Sequence, residues 1–259
     1  MTGPWLIAIG IVAGVFAGLF GIGGGIIIVP ALILFAGFPL VRATGTSLAA
    51  ILLPVGILGV AAYAKARIID LRASLYIAAG LLASVAAGAW LANTLPVDVM
   101  RKFFAVFCLY VGWNFVDPVN RFRKWRGLPV AAGPEPESDP RPSPLPLVGI
   151  GLLAGVMAGL FGIGGGNIIV PLLTLGLRYP TKRAIATSLG AILFPFGIPG
   201  VIYYSQAGNL DLGAAAWIAA GLFLGTVFGA LITIKLPGRT VKLLYGLFLL
   251  FVACRFLLF

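Results

Sequence analysis

The sequence predicts an all-α integral membrane protein of two inverted-topology repeats, each of about five apolar segments, with short glycine-broken helices near the membrane midplane. Three observations predict it. First, 61% of the 259 residues are hydrophobic and only 10% are charged, whereas a soluble domain carries about 25% charged residues. The alternating segments of a transmembrane barrel are absent, so the spans are helical. Second, residues 13–118 align with 154–259 at a constant offset of 141, without a gap and with roughly half of the positions identical. Third, the basic residues fall between apolar segments in a pattern that constrains how the chain crosses the bilayer.

In the first repeat, 1–120, the apolar segments run over about 5–20, 24–38, 44–63, 73–93 and 100–117. In the second, 146–259, they run over about 146–161, 165–179, 185–204, 213–234 and 240–258. The first two segments of each repeat are short and meet at glycines. Each pair is either two short spans or a re-entrant hairpin. Between the repeats, 121–145 is rich in Pro and holds three of the seven acids, so it reads as an exposed linker without a core of its own.

An odd number of side changes per repeat collects 14 of the 18 Lys and Arg residues on the linker side and leaves Arg42, Arg101, Lys102 and Arg255 on the other. Fusing the first two segments into one span gives 9 against 9. The positive-inside rule favours the first count. It places the linker in the cytoplasm and both termini on the periplasmic side, with the second repeat inserted upside down. The opening "MTGPWLIAIG" has no basic region, so no cleaved signal peptide is expected.

The stretch "AGLFGIGGGIIIVP" from Ala17 to Pro30 returns as "AGLFGIGGGNIIVP" from Ala158 to Pro171. Consecutive glycines weaken a helix by about 1 kcal/mol each relative to alanine. Gly21, Gly23, Gly24 and Gly25, and their counterparts Gly162, Gly164, Gly165 and Gly166, therefore mark breaks in the spans. Broken backbone is tolerated inside a bilayer only where protein or a water-filled cavity meets its polar groups. A helix restarting there aims free N–H groups and its positive end into the break, an arrangement suited to an anion. The restart lies at the glycines or at Pro30 and Pro171. Asn167 replaces Ile26, the main polar departure from symmetry, and is a candidate ligand contact. Close helix packing is the competing reading for the glycines; it suits the GxxxG pairs Gly14–Gly18 and Gly155–Gly159 better than the triplets.

A second matched element reads "VRATGTSLAAILLPVGILG" at 41–59 and "KRAIATSLGAILFPFGIPG" at 182–200. The hydroxyls of Thr46, Ser47, Thr187 and Ser188 are candidates either to cap helices or to donate to a bound oxyanion. Pro54 and Pro195 should kink these segments and are candidate hinges. Arg42 and Arg183 are either membrane-edge residues or entrance charges for anions. Asp70 and Asp211 read as helix N-caps.

Other chemistry is poorly served. The chain has no His, which removes the usual residue of zinc hydrolysis and of Ser-His-Asp catalysis. No acid lies within an apolar segment, so a proton relay has little to run on. No phosphate loop is present. The sequence thus points to no enzyme, metal or cofactor, and its scattered basic residues do not suggest a nucleic-acid partner. The expected partners are the lipid bilayer and a small anion; the oligomeric state stays open.

At "FGIGGGIIIVP" with "FGIGGGNIIVP", and "ATGTSL" with "AIATSL", the sequence resembles the TauE/SafE family of membrane permeases, described as sulfite or organosulfonate exporters. The resemblance covers both repeats and excludes the linker. It implies a bacterial inner-membrane carrier of sulfite, sulfonates or similar small oxyanions, with about eight spans; the expected direction is outward. Its rivals are a passive anion channel on the same scaffold and a membrane scaffold that transports nothing.

Overall fold

The computed structural model describes residues 3–52, 56–119, 122, 126 and 142–258. Each apolar segment is helical. The first repeat gives α1 (Gly3–Phe20), α2 (Gly25–Ala36), α3 (Leu40–Leu52), α4 (Ile57–Lys65), α5 (Leu71–Thr94) and α6 (Val97–Val116). The second gives α7 (Pro144–Phe161), α8 (Gly166–Pro171) running into a π-helical turn (Leu172–Gly176), α9 (Thr181–Leu193), α10 (Ile198–Gln206), α11 (Leu212–Lys235) and α12 (Gly238–Leu258). Most of the 121–145 linker, and Pro54, lie outside the described residues.

The third segment of each repeat is two helices rather than one kinked helix. The axes of α3 and α4 differ by 48°, and those of α9 and α10 by 53°. Pro195 sits in the second break, where Phe194 is extended and ends α9. The proline ring excludes a continuous i to i−4 ladder, so the helix restarts instead of bending. Asp70 and Asp211 cap α5 and α11, accepting from the N–H groups of Ala73 (3.0 Å) and Ala214 (2.9 Å).

Contacts between the repeats are reciprocal. Gly10, Gly14 and Gly18 of α1 leave no room for a Cβ against the carbonyls of Ile218, Leu222 and Thr226 on α11. Their counterparts Gly151, Gly155 and Gly159 of α7 stand in the same relation to Ile77, Leu81 and Val85 on α5. The missing side chains let backbones approach to van der Waals contact, where dispersion and carbonyl contacts hold helices together in lipid. In each of these pairs the residue numbers rise together, so the helices run parallel. The counterparts α6 and α12 pack on each other, Gly112 against Leu250 and Phe115 against Tyr245. There the numbers run oppositely, so the two are antiparallel.

These contacts define two ends. α5 runs from Asp70, which meets Arg183, to Asn93, which accepts from Asn209 close to Asp211. Arg42 pairs with Asp211 at that second end, where α1 also begins, since α1 runs parallel to α11. α2 therefore returns to the end from which α1 started. By the same argument α8 and its π turn return to the linker end. α2 has 12 residues, about 18 Å of helix, too short for a hydrocarbon core of about 30 Å. The glycine-linked pairs are hairpins.

Among the described residues, four helices are long and apolar enough to cross a membrane: α1, α5, α7 and α11; the two bent pairs raise this to as many as six. Large apolar side chains stand on the outer faces, among them Trp5, Trp90, Trp113 and Phe251, where acyl chains would cover them. The core lies between the repeats.

Gly229 packs on the carbonyl of Val15, whereas Gly149 has open space around it. Gly229→Ala should destabilise the protein by about 1–3 kcal/mol through overpacking, and Gly149→Ala should not. Thermal unfolding of both variants in detergent checks this; equal midpoints would remove the tight backbone contact from the account.

Candidate functional site

Both glycine breaks are buried and lie against each other. A Cβ on Gly23 would come within 3.5 Å of the Cα of Gly164. Gly23 and Gly164 are counterparts at the offset of 141, so each break meets its own match. Gly25 abuts the carbonyl of Gly162, and Gly166 abuts that of Gly21. Any side chain at these two positions would collide with backbone.

The chain turns here through left-handed conformations that favour glycine, φ being +78° at Gly23, +88° at Gly24 and +75° at Gly165. α2 and α8 begin at the glycines, not at the prolines: Ile27 and Ile28 bond the carbonyl of Gly24, and Ile168 and Ile169 that of Gly165. Pro30 and Pro171 sit one turn further on.

Two carbonyls of the breaks are met from the opposite repeat: Ser188 donates to Gly21 O and Ser47 to Gly162 O, each at 2.7 Å. Each serine thus braces the break of the opposite repeat. Among the described residues, no acceptor takes the N–H groups of residues 22–26 or 163–167, and no donor reaches the carbonyls of Ile22, Gly23, Ile163 or Gly164. These residues are buried. An unpaired buried donor costs about 1–3 kcal/mol, so this excess of unmet groups at both breaks requires explanation.

Asn167 adds to this excess. It is 1% exposed, and neither its amide nitrogen nor its oxygen has a partner among the described residues. Its counterpart Ile26 is buried too and raises no such problem. A cavity of about 10 Å³ touches Gly23, walled by Ala17, Ile51, Leu189, Ile192 and Thr226. That is space for about one water and too little for an oxyanion.

The other sequence candidates lie away from the breaks. Thr46 accepts from the N–H of Asp211 (3.1 Å), and Thr187 from that of Asp70 (3.2 Å). Arg42 pairs with Asp211 at 2.9 Å, and Arg183 with Asp70 at 3.3 Å. Each end therefore carries one latch of threonine and arginine from one repeat on the capping aspartate of the other. The hydroxyl of Tyr179 also donates to Asp70 (3.0 Å), while its counterpart Phe38 lies under the Arg42 guanidinium at 4.7 Å.

The sequence reading placed Asp70 and Asp211 as caps but not as ion partners. Both Arg and Asp recur at the offset of 141, which was the available signal. It passed over Tyr63 and Tyr204, matched in the same way. They donate to the carbonyls of Gly18 (2.6 Å) and Gly159 (2.7 Å), just ahead of the breaks.

The family model of the sulfite exporter TauE/SafE matches residues 6–256. The chain belongs to the TauE/SafE family. A probable membrane transporter protein of Bacillus subtilis is 28% identical over 96% of this chain and 95% of its own length. One of Haemophilus influenzae is 31% identical over 96% of both chains. Another, of Methanocaldococcus jannaschii, is 31% identical over 79% of this chain and 73% of its own. No solved structure matches the chain. The TauE/SafE protein is a multi-pass membrane transporter, and the paired glycine breaks form the centre of its fold.

Replacing Asn167 by the Ile of the first repeat removes an unpaired buried amide. Asn167→Ile should raise stability in ligand-free detergent by about 1–3 kcal/mol, whereas Ser188→Ala should lower it by leaving Gly21 O unmet. Unfolding midpoints read both; a less stable Asn167→Ile variant would mean that the amide has a protein partner.

Proposed function

We propose that the protein is a secondary transporter of small sulfur-containing oxyanions, sulfite or an organosulfonate, which it exports across the bacterial inner membrane. The observation that carries this reading is the run of buried N–H groups at the two breaks that no acceptor takes among the described residues, with the unpaired amide of Asn167 beside them. A buried cluster of donors with no acid among them selects an anion, and backbone N–H groups reach an oxyanion without a cation to desolvate. The family description supports sulfur oxyanions as the class.

The repeats would be inserted with opposite orientation. Three features support this: the antiparallel packing of α6 on α12, the glycine hairpins that make no crossing, and the 14 basic residues assigned to the linker side. The positive-inside rule then places the linker in the cytoplasm and the termini in the periplasm. In this arrangement the two latches lie at opposite faces. Opening one end breaks its arginine–aspartate and threonine contacts while the other end stays closed, which is alternating access about a central site. The breaks at Pro54 and Pro195 would be the hinges, and Arg42 and Arg183 would meet the anion once released. An anion leaving an inside-negative cell gains about 2.3 kcal/mol per charge per 100 mV, so export needs no coupling ion.

The test is flux of labelled sulfite, sulfate and methanesulfonate into proteoliposomes at a membrane potential set by a potassium gradient. Saturable, potential-driven flux of one anion is expected, with counterflow separating a carrier from a channel. Gly24→Val should abolish it, because a β-branched residue at φ +88° would also press on Leu222 and on the Ala13 carbonyl. Gly165→Val should do the same. Asn167→Ile keeps the fold and should cut flux at least tenfold, the discrimination a lost hydrogen bond of about 1.4 kcal/mol gives. Unchanged flux in Asn167→Ile and both glycine variants would remove the breaks from the transport path.

A further inference from the structure

The repeats are symmetric in backbone but not in what they place at the two ends. At the linker end a cavity of about 470 Å³ opens to the surface between the start of α5, the start of α7 and the start of α9. Asp70, Arg72, Tyr76, Ser143, Tyr179 and Arg183 supply its polar lining. Asp70 is committed there: it caps α5, accepts from Tyr179 and pairs with Arg183. That ion pair leaves the local charge near zero without Arg72.

Arg72 supplies the excess positive charge. It is exposed, its guanidinium stands 5.9 Å from the Tyr76 ring, and among the described residues it makes no ion pair. Tyr76 and Ser143 beside it add hydroxyl groups. Ser143 precedes α7 without capping it through its side chain. A cation next to hydroxyl groups in a concave, low-dielectric wall concentrates small anions from solution.

At the other end the cation and the two tyrosines are replaced. The counterpart of Arg72 is Gly213, that of Tyr179 is Phe38, and that of Tyr76 is Trp217. The Trp217 ring lies against Gly3 at the start of α1, where a Cβ would come within 2.9 Å of it. The Arg42–Asp211 pair is retained there, and it is internally neutral.

We infer that the linker-end cavity is a capture site for small oxyanions, centred on Arg72, which gives the transporter a lower KM at that face than at the other. This rests on the transport reading above and deepens it. The asymmetry is kinetic. At zero potential Vmax/KM stays equal for the two directions, as detailed balance requires, and the gradient alone sets net flow. A phosphate of an anionic lipid headgroup offers the same chemistry as a free oxyanion; we assign the site to the soluble anion because its centre is a concave pocket rather than an outward-facing basic stripe.

The experiment measures KM from each side, in proteoliposomes sorted by orientation, for whichever of sulfite, sulfate and methanesulfonate is carried. Wild type should show the lower KM at the linker face. Arg72→Gly, the residue of the opposite end, should raise that KM about tenfold, within the range electrostatic focusing supplies, and leave the other face unchanged. Tyr76→Phe should raise it less. Equal KM values at the two faces, or flux unaffected by Arg72→Gly, would overturn the inference. Repeating the series in phosphatidylcholine with and without phosphatidylglycerol separates the two sources. An advantage of the linker face that vanishes with the anionic lipid would assign the cavity to headgroups and overturn the capture role.

A second readout holds if no tested anion is carried, which would sink the transport reading for these substrates. In the Asn167→Ile background, sulfate should still raise the unfolding midpoint in detergent, since ligand that binds only the folded state stabilises it. Adding Arg72→Gly should remove that rise. A rise that survives Arg72→Gly, or no rise at all, would leave the cavity without an anion role.

Discussion

A backbone that leaves its helix inside a bilayer exposes N–H and C=O groups that lipid cannot solvate. Everything at the centre of this protein follows from how that requirement is met. α1 and α7 both stop in the interior, and the chain turns back at Gly21–Gly24 and Gly162–Gly165. The two carbonyls that open the turns receive serine hydroxyls from the opposite repeat. Neither repeat satisfies its own break. The interior therefore closes only when both halves are present, and α3 and α9, which carry Ser47 and Ser188, are fixed to the partner's hairpin.

The same exchange sets the packing around the breaks. Tyr63 of α4 bonds Gly18 O within its own repeat, and Tyr204 repeats this on Gly159, so each bent pair holds the end of its own hairpin. The parallel contacts of α1 with α11 and α5 with α7 need bare backbone on both surfaces, which is why glycine recurs every four residues there. The arginine–aspartate latches close the arrangement at each end. The Arg42–Asp211 pair is partly exposed, and a pair of this kind contributes modestly to stability; Arg183–Asp70 is more enclosed.

Polar groups remain unmet where the repeats meet. Serines answer the carbonyls of Gly21 and Gly162, but nothing among the described residues answers the N–H groups beside them or Asn167. Evolutionary neatness would put Ile at 167 as at 26. The protein instead keeps an unpaired amide there, at a cost in stability. The small cavity at Gly23 has room for about one water.

The sequence by itself determined the class, the duplication and the position of the breaks. Glycine triplets inside an apolar run have few other physical meanings, and the offset of 141 made Gly24 and Gly165, Asp70 and Asp211, and Ser47 and Ser188 visible as pairs. It also left the glycine-linked segments open between two spans and a hairpin. Tertiary structure decided that question, because the direction of α2 depends on where Arg42 finds Asp211, 169 residues away. It also separated candidates that the sequence listed together: Ser47 and Ser188 stand at the breaks, while Thr46 and Thr187, one residue earlier on the same helices, stand at the ends with the aspartates. Adjacent helix positions differ by about 100° in direction, so neighbours in sequence face different partners. The linker-end cavity was hidden for a related reason. Arg72, Tyr76, Tyr179 and Ser143 come from four places in the chain and share a wall only after the repeats have packed.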